Sequence, residues 1–265
     1  GYLRDRLGIT PYVYGVNGMQ WSDIPRQTDE LIKQHGQDVD AIMIFIGTND
    51  FNGGVPIGSF YTESKETVVA ATGEPEARKD PSTLCGRINI ALEKIKATYP
   101  TKQVILLTPI HRAYAEFGDN NVQPDENWQN NIGEWFTTYV ETIKQAGRVW
   151  SVPVIDTNAL CGLYPILDSN APFFHDSKTD RLHPNAQGHK RIAKTLFYQL
   201  LSLHAISERK LAEFSRQNDT RKYKLIAGAW FAPAISLVSG DGTPRTFLQD
   251  TVMHYATKNT EASTS

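Results

Sequence analysis

An almost unbroken apolar run, 39–46 (VDAIMIFI), constrains the fold more than any other feature of this sequence. A strand of this composition is expected to be buried on both faces, which is typical of parallel sheets covered by helices on each side. The run ends at Gly47-Thr48-Asn49-Asp50, residues that favour a turn. A second apolar run at 102–107 ends at Thr108-Pro109, where the chain must also turn. The sequence therefore predicts two buried strands of a parallel sheet.

Helical segments alternate with these strands along the chain. A β-branched and aromatic run at 11–16 leads into glycines, and Ser22 or Asp23 can then cap a helix that ends at Gly36. In total the sequence predicts strands at 11–16, 39–46, 102–107 and 152–155, and helices at 23–35, 84–99, 125–146 and 184–203. This alternation is typical of an open parallel sheet with helices on both faces, so we expect an α/β fold with three layers, α/β/α.

The helix predicted at 125–146 carries apolar side chains at helical spacing, which indicates a face buried in the core. These side chains are Trp128, Ile132, Trp135, Phe136, Tyr139 and Ile143. Residues 51–82 are rich in Gly, Pro, Ser and Thr and are interpreted as an insertion over the sheet edge, where specificity often resides. We expect residues 1–205 to form the domain and residues 206–265 to form a C-terminal extension, whose structure the pattern does not define.

Charge and composition exclude several classes of function. The 27 Lys and Arg residues nearly balance 29 Asp and Glu, without a long run of one sign, so nothing points to nucleic acid or an anionic membrane surface. No stretch approaches the roughly 18 consecutive apolar residues that a membrane span needs. Cys85 and Cys161 lack zinc or redox spacing and are expected to be buried thiols, while His175 and His189 are interpreted as surface or helix-packing residues. We expect a small-molecule or glycan partner, no metal and no cofactor.

In an open parallel sheet, ligands bind beyond the carboxyl ends of the strands, and four candidate groups lie there or in the loop before the last helix. Asp180 and His183 are three residues apart across a turn, so the carboxylate can hold one imidazole nitrogen and leave the other free as a base. Asn49 offers an amide NH2 and Gly18 an unobstructed backbone N–H, two donors that suit a developing oxyanion. The alternative, in which all four are ordinary capping and turn residues, stays open at this point.

Three residues beyond the second apolar strand are weaker candidates. His111, Arg112 and Tyr114 follow Pro109, where the chain turns away from the sheet. Because side chains there reach the same edge of the sheet as Asn49, we expect them to contact substrate. The alternative is a loop surface without a role in the site.

Three blocks, in this order and at these positions, resemble the SGNH or GDSL-type hydrolases: YGVNG at 14–18, GTND at 47–50 and DRLHP at 180–184. The resemblance extends from residue 2 to residue 204. It implies a flavodoxin-like order of the parallel sheet, 2-1-3-4-5, and the chemistry of a serine esterase that needs no metal.

The same resemblance implies a role for each candidate. Gly18 and Asn49 would line the oxyanion hole, and His183 would be the general base, oriented by Asp180. The family's remaining block, a Gly-Asp-Ser sequence after the first strand, carries the nucleophilic serine and does not occur in these 265 residues. We expect it ahead of Tyr2, so that the first strand and the nucleophile are missing and these residues alone are inactive.

A segment near the C-terminus offers a replacement for that strand. The apolar residues 234–238 are followed by Ser239-Gly240-Asp241-Gly242-Thr243, which looks like a strand and the serine block with Gly242 in place of the serine. Such a segment could fill the gap as in a circular permutation, although it would bring no nucleophile. The alternative is an unrelated tail with a chance Gly-Asp-Gly turn.

The expected function is hydrolysis of a carboxylic ester, an acetylated carbohydrate or a short-chain acyl ester, through an acyl-enzyme. One alternative is a non-catalytic glycan-binding pseudoenzyme on the same fold. Another is an unrelated α/β ligand binder that has glycine and asparagine at its strand ends by chance. The resemblance suggests secretion or a periplasmic location, with any signal peptide ahead of Gly1.

Overall fold

The computed structural model describes residues 1–61, 76–118 and 121–203. Its main unit comprises Tyr2 and residues 11–199, while Gly1, residues 3–10 and residues 200–203 fall in a second unit. Helix α1 (Tyr2–Leu7), most of which belongs to the second unit, ends at Gly8 in a left-handed conformation with φ of 63°. The predicted extension at 206–265, with its Gly240-Asp241-Gly242 segment, lies outside the described residues.

A parallel sheet forms the centre of the main unit. Its described strands are β1 (Ala41–Phe45), β2 (Gln103–Leu107) and β5 (Val154–Ile155), in the order β1-β2-β5. Ile44 of β1 lies beside Leu106 of β2, and both are buried. The two apolar runs are thus adjacent parallel strands, which confirms the α/β fold class.

The helices of the main unit follow the predicted alternation with the strands. They are α2 (Ile24–His35), α3 (Thr48–Asn52), α4 (Leu84–Thr98), α5 (Phe136–Trp150), α6 (Thr157–Leu160) and α7 (Ala186–Ser202). The hydroxyl of Thr83 caps α4 by accepting the N–H of Gly86 at 3.1 Å. Helix α4 packs against α2 and α5, and its Ile88 and Leu92 join the core together with Leu106 of the sheet.

A second, antiparallel sheet was not predicted. It consists of β3 (Ala115–Glu116), β4 (Val122–Gln123), β6 (Phe174–Asp176) and β7 (Asp180–Pro184), in the order β4-β3-β7-β6. The residues of β7 were expected in a loop before the last helix. Instead they form the longest strand of this small sheet, which fixes the backbone on both sides of the candidate Asp180 and His183.

The helix predicted at 125–146 was wrong over its first eleven residues, because α5 begins only at Phe136. Asn130 Oδ1 accepts the backbone N–H groups of Ile132 (3.2 Å) and Glu134 (2.9 Å), a local turn that competes with helical hydrogen bonding. Gly133 within that turn has φ of 83°. Of the predicted apolar face, Phe136, Tyr139 and Ile143 are buried, whereas Trp128, Ile132 and Trp135 are exposed.

The outer edge of β1 is open in the described part of the chain, where β1 pairs only with β2. The expectation that this strand is buried on both faces was wrong for one face, since Met43 is 41% and Phe45 47% exposed. Residues 11–16, predicted as a strand, have no regular secondary structure and pair with none of the described strands. The strand order 2-1-3-4-5 expected from the sequence would place a further strand between residues 11–16 and β1, and the described residues contain no strand there.

Candidate active site

Two loops at the carboxyl ends of β1 and β2 are joined by a buried arginine. Gly47 lies between β1 and α3 with φ of 126°, and a Cβ there would lie 2.8 Å from Ile143 Cδ1, so the position favours glycine. From the second loop, Arg112 Nη1 donates to the carbonyl (3.2 Å) and the hydroxyl (3.0 Å) of Thr48. The guanidinium of Arg112 lies over the ring of Phe51, and burial lowers its pKa to about 10. Both loops are therefore held in one arrangement.

Asp180 and His183 form a hydrogen-bonded pair on β7. His183 Nδ1 lies 3.1 Å from Oδ2 and 3.3 Å from Oδ1 of Asp180. Oδ1 also accepts the backbone N–H groups of Leu182 (3.1 Å) and His183 (3.0 Å), so the backbone of β7 itself orients the carboxylate. The side chain of Asp180 is only 7% exposed, whereas that of His183 is 57% exposed. A carboxylate on Nδ1 favours the tautomer that leaves Nε2 free to accept a proton.

Two further aromatic rings lie close to this pair. The ring of Phe117 lies 5.2 Å from that of His183, between centroids, and gives the histidine an apolar neighbour. His175 Nδ1 lies 3.5 Å from Asp180 Oδ2, with its side chain 74% exposed. The interpretation of His175 as a surface residue is confirmed, and its approach to Asp180 was not foreseen.

Hydrogen bonds connect the Asp180–His183 pair with the helix that carries Asn49. Ala115 of β3 pairs with Asp180 of β7, and β3 pairs in turn with β4. From β4, the side-chain oxygen of Gln123 accepts a hydrogen bond from Asn52, at the end of α3. The small antiparallel sheet therefore ties the predicted base to the loop with the predicted oxyanion donor.

The predicted oxyanion donors Gly18 and Asn49 lie on adjoining segments: Gly18 belongs to residues 17–22, called the Gly18 loop, and Asn49 lies in α3 within residues 47–53, called the Asn49 loop. Asn49 Nδ2 donates to the carbonyl of Met19 at 3.0 Å, and Gln20 Nε2 donates to the carbonyl of Asn49 at 2.8 Å. An asparagine amide carries two N–H groups, so one remains for a ligand. Gly18 has φ of 79°, and a Cβ built there would meet no atom within 4 Å, so its backbone borders open space. Asn49 is therefore hydrogen-bonded to the residue that follows Gly18, and the role of both as oxyanion donors stays a prediction.

A buried acidic residue lies behind these loops. Asp50 is fully buried. Its carboxylate accepts a hydrogen bond from the backbone N–H of Trp21 at 3.1 Å and another from Arg87 Nη1 at 3.1 Å. Burial raises the pKa of Asp50 to about 6, although the hydrogen bonds from Trp21 and Arg87 act in the opposite direction. Its contacts join the Gly18 loop, the Asn49 loop and helix α4.

The three weaker candidates occupy different environments. His111 Nδ1 lies 2.6 Å from Glu126 Oε1, and the His111 ring meets Tyr164 edge to face. Tyr114 is 39% exposed and donates to Glu116 at 2.9 Å. Arg112 is 1% exposed, which makes it the least accessible of the three. Their contact with substrate stays a prediction.

Sequence reasoning missed Gln20, Arg87 and Glu126. Arg87 Nη1 donates to Gln20 Oε1 at 2.9 Å across 67 positions of sequence, a contact for which no local pattern gives a signal. Glu126 accepts the backbone N–H of Arg112 at 3.0 Å, whereas the sequence predicted that residue 126 lies in a helix. These residues connect loops that are distant in sequence, and a local sequence pattern predicts each loop but not the contacts between them.

Among the described residues, no group of three or more His, Cys, Asp or Glu side chains is arranged to hold a metal ion. Over the same part of the chain, no helix combines the length and apolarity needed to cross a membrane. Cys85 and Cys161 are free and buried, as expected.

The chain is similar to known proteins in sequence and in structure. The sequence model of the GDSL-like lipase/acylhydrolase family matches residues 1–191. A possible lipase from Chitinophaga pinensis is similar in structure, with a TM-score of 0.53 and 21% identity over 75% of this chain and 87% of that chain. An acetylxylan esterase from Geobacillus stearothermophilus, solved as a catalytic mutant, has a TM-score of 0.46 and 20% identity over 75% and 77% of the two chains. No curated protein matches the sequence. The Chitinophaga structure supports the α/β fold.

Proposed function

Because the chain belongs to the GDSL-like lipase/acylhydrolase family, we propose that it supplies the general base and the oxyanion hole of a serine esterase. The observation that carries the proposal is the pair formed by the exposed His183 and the nearly buried Asp180, with 3.1 Å between Nδ1 and Oδ2. A histidine held in this way is oriented to take a proton from a hydroxyl nucleophile.

The proposed reaction transfers an acyl group in two steps. A serine hydroxyl attacks the ester carbonyl while His183 Nε2 accepts its proton, and the oxyanion receives hydrogen bonds from the Asn49 amide and the Gly18 N–H. Collapse of this intermediate breaks the bond to the alcohol, which leaves with the proton from His183. Water then attacks the acyl-enzyme by the same route, which releases the acid and restores the serine. Asp180 stays ionised and stabilises the imidazolium.

The nucleophile is proposed to be the serine of a Gly-Asp-Ser turn at the end of a strand that pairs with the open edge of β1. The described part of the chain leaves that edge unpaired, and the exposed Met43 and Phe45 support an additional neighbour there. No Gly-Asp-Ser sequence occurs in the 265 residues. These residues alone are therefore proposed to be inactive as an esterase. The same chain joined to that strand is called the serine-bearing form.

The proposed substrate is a carboxylic ester with a short acyl group, including acetylated carbohydrate. The ring of Phe117 beside His183 provides one aromatic side chain for an acyl group or for the face of a sugar ring. The near balance of acidic and basic residues supports a neutral substrate over a polyanion.

The alternative is a glycan-binding pseudoenzyme that retains the pocket without turnover. The absence of a Gly-Asp-Ser sequence from these residues is the observation in its favour. It differs from the esterase proposal in one respect that can be measured, because a pseudoenzyme stays inactive when the serine-bearing strand is present.

Hydrolysis of p-nitrophenyl acetate and of an acetylated xylo-oligosaccharide by the serine-bearing form tests the proposal. His183→Ala is expected to lower kcat/KM by about 10³-fold or more. The matched control is His189→Ala, which removes an exposed histidine from α7 and is expected to leave the rate unchanged. Absence of hydrolysis in the serine-bearing form, together with retained binding of the oligosaccharide, would favour the pseudoenzyme instead.

A further inference from the structure

We propose that Gln20 and Arg87 are positioning residues, which fix the two oxyanion-hole loops relative to each other and thereby set the direction of the Asn49 amide. This inference rests on the proposed function of Asn49. Neither residue is expected to touch the substrate, and neither lies within the three sequence blocks on which the family resemblance depends.

Gln20 spans the space between the two loops with both ends of its side-chain amide engaged. Nε2 donates to the carbonyl of Asn49 at 2.8 Å, while Oε1 accepts from Arg87 Nη1 at 2.9 Å. The backbone N–H of Gln20 donates to Asp23 Oδ2 at 2.9 Å, which fixes the start of the side chain. A Cβ at Gly53 would lie 2.5 Å from Gln20 Nε2, so the glycine leaves the room that this side chain occupies.

Arg87 connects the same two loops from helix α4. Its Nη1 donates both to Gln20 Oε1 and to Asp50 Oδ1, at 2.9 and 3.1 Å, and its Nε donates to the carbonyl of Pro81 at 2.7 Å. Asp50 completes the connection by accepting the N–H of Trp21. With its side chain only 16% exposed, the arginine is held by these contacts in one orientation.

The consequence for Asn49 is that it is held from two directions. Its carbonyl accepts from Gln20, and its side-chain amide donates to Met19 O at 3.0 Å. The direction of the remaining N–H is then set by the relative position of the loops. Because a hydrogen bond to a developing oxyanion depends steeply on distance and angle, a displacement of the Asn49 loop should lower kcat more than it changes KM.

Gln20→Met removes both hydrogen bonds of this side chain with little change in size or charge. Gln37→Met is the matched control, because Gln37 Nε2 also donates to a backbone carbonyl, that of Thr98 at 3.0 Å. Thr98 is the last residue of α4, and neither Gln37 nor Thr98 lies in the Gly18 loop or the Asn49 loop. In the 265-residue chain, hydrogen exchange by mass spectrometry should become faster in the peptides that cover 17–22 and 47–53 in Gln20→Met alone. Unchanged exchange in both peptides would overturn the inference, whatever the catalytic activity.

The catalytic arm uses the serine-bearing form. We expect Gln20→Met to lower kcat by about 10- to 100-fold with KM changed by less than about 3-fold, since misplacement of a reacting group by 1 Å can cost about 100-fold. Gln20→Glu keeps an acceptor for Arg87 and loses the donor to Asn49, so it should lower kcat to the same extent. Recovery of kcat in Gln20→Glu would contradict a role through Asn49.

A double-mutant cycle separates failure of this inference from failure of the proposed function. In an Asn49→Ala background, Gln20→Met should lose most of its effect on kcat, because the two residues act as one unit. If Asn49→Ala lowers kcat and Gln20→Met does not, the inference is wrong and the esterase site stands. If Asn49→Ala itself leaves kcat unchanged, the proposed oxyanion hole is wrong and the inference falls with it.

Discussion

Replacing Asp50 by asparagine should change the way in which stability depends on pH. Burial raises the pKa of this carboxyl from 3.8 to about 6, against the hydrogen bonds from Trp21 and Arg87. In the unfolded chain the same group ionises near the ordinary value of 3.8. At intermediate pH the folded protein therefore binds a proton that the unfolded chain has released, and this proton stabilises the folded state.

The magnitude follows from the two pKa values. A shift from 3.8 to about 6 corresponds to about 3 kcal/mol of stabilisation, which is fully present below the unfolded pKa and is lost as the pH rises through 6. Over the accessible interval from pH 4 to pH 7, about 2 kcal/mol of this should disappear. The Asp50→Asn variant lacks the titration. The free energy of unfolding of the wild type, minus that of the variant, should thus fall by about 2 kcal/mol as the pH rises.

Urea unfolding followed by circular dichroism at four pH values between 4 and 7 measures this difference. Asp156→Asn is the control of opposite sign. Burial tends to raise the pKa of Asp156, but hydrogen bonds from Ala159, Thr108 and Lys144 outweigh it and lower that pKa. For Asp156 the difference between wild type and variant should therefore grow as the pH rises, but because the folded-state pKa lies below the ordinary value of 3.8, most of that growth falls below pH 4 and little remains between pH 4 and pH 7. A difference for Asp50 that also grows with pH would refute the argument, because it would mean that pairing with Arg87 dominates over burial.

Three further predictions concern the site and the core. Asp180→Asn in the serine-bearing form should lower kcat by about 10³-fold with the histidine still present, as measured by ester hydrolysis, because an amide cannot stabilise the imidazolium; an unchanged kcat would contradict the assignment. Gly47→Ala should lower the free energy of unfolding by about 2 kcal/mol in urea titrations, since its Cβ would lie 2.8 Å from Ile143 Cδ1 at a φ of 126°; a value near zero would show that the loop adapts. Cys85 and Cys161 are buried, and burial raises the pKa of both thiols, so a thiol reagent should label them only in urea; rapid labelling of the native chain would contradict their burial.

The elements that local periodicity specifies could be predicted from the sequence. The apolar runs became β1 and β2, and the helix predicted at 84–99 is observed as Leu84–Thr98. Elements that depend on distant partners could not be predicted in this way. Residues 11–16 have strand composition but no described neighbour to pair with, and β3 and β4 are two residues each, too short for a periodic signal.

In the candidate site, too, contacts between residues close in sequence could be predicted and contacts between distant residues could not. Asp180 and His183 are close in sequence, so a spacing of three residues was enough to predict their hydrogen bond, although they lie on a strand and not in the expected loop. The support for Asn49 depends on Arg87 and Gln20, which meet across 67 positions and have no pattern in common. The exposed Trp128 illustrates the opposite error, since helical spacing predicted burial and a turn centred on an asparagine ended the pattern before α5 began.

The most direct test of the account is to treat the protein with a fluorophosphonate probe and to map the adduct by peptide mass spectrometry, with His183→Ala as the control. The account predicts an adduct on the serine of the Gly-Asp-Ser turn in the serine-bearing form, formed at a rate that falls by about 10²-fold or more in His183→Ala, and no adduct in the 265-residue chain. An adduct on a serine within the 265 residues that depends on His183, or labelling that is indifferent to His183, would contradict it.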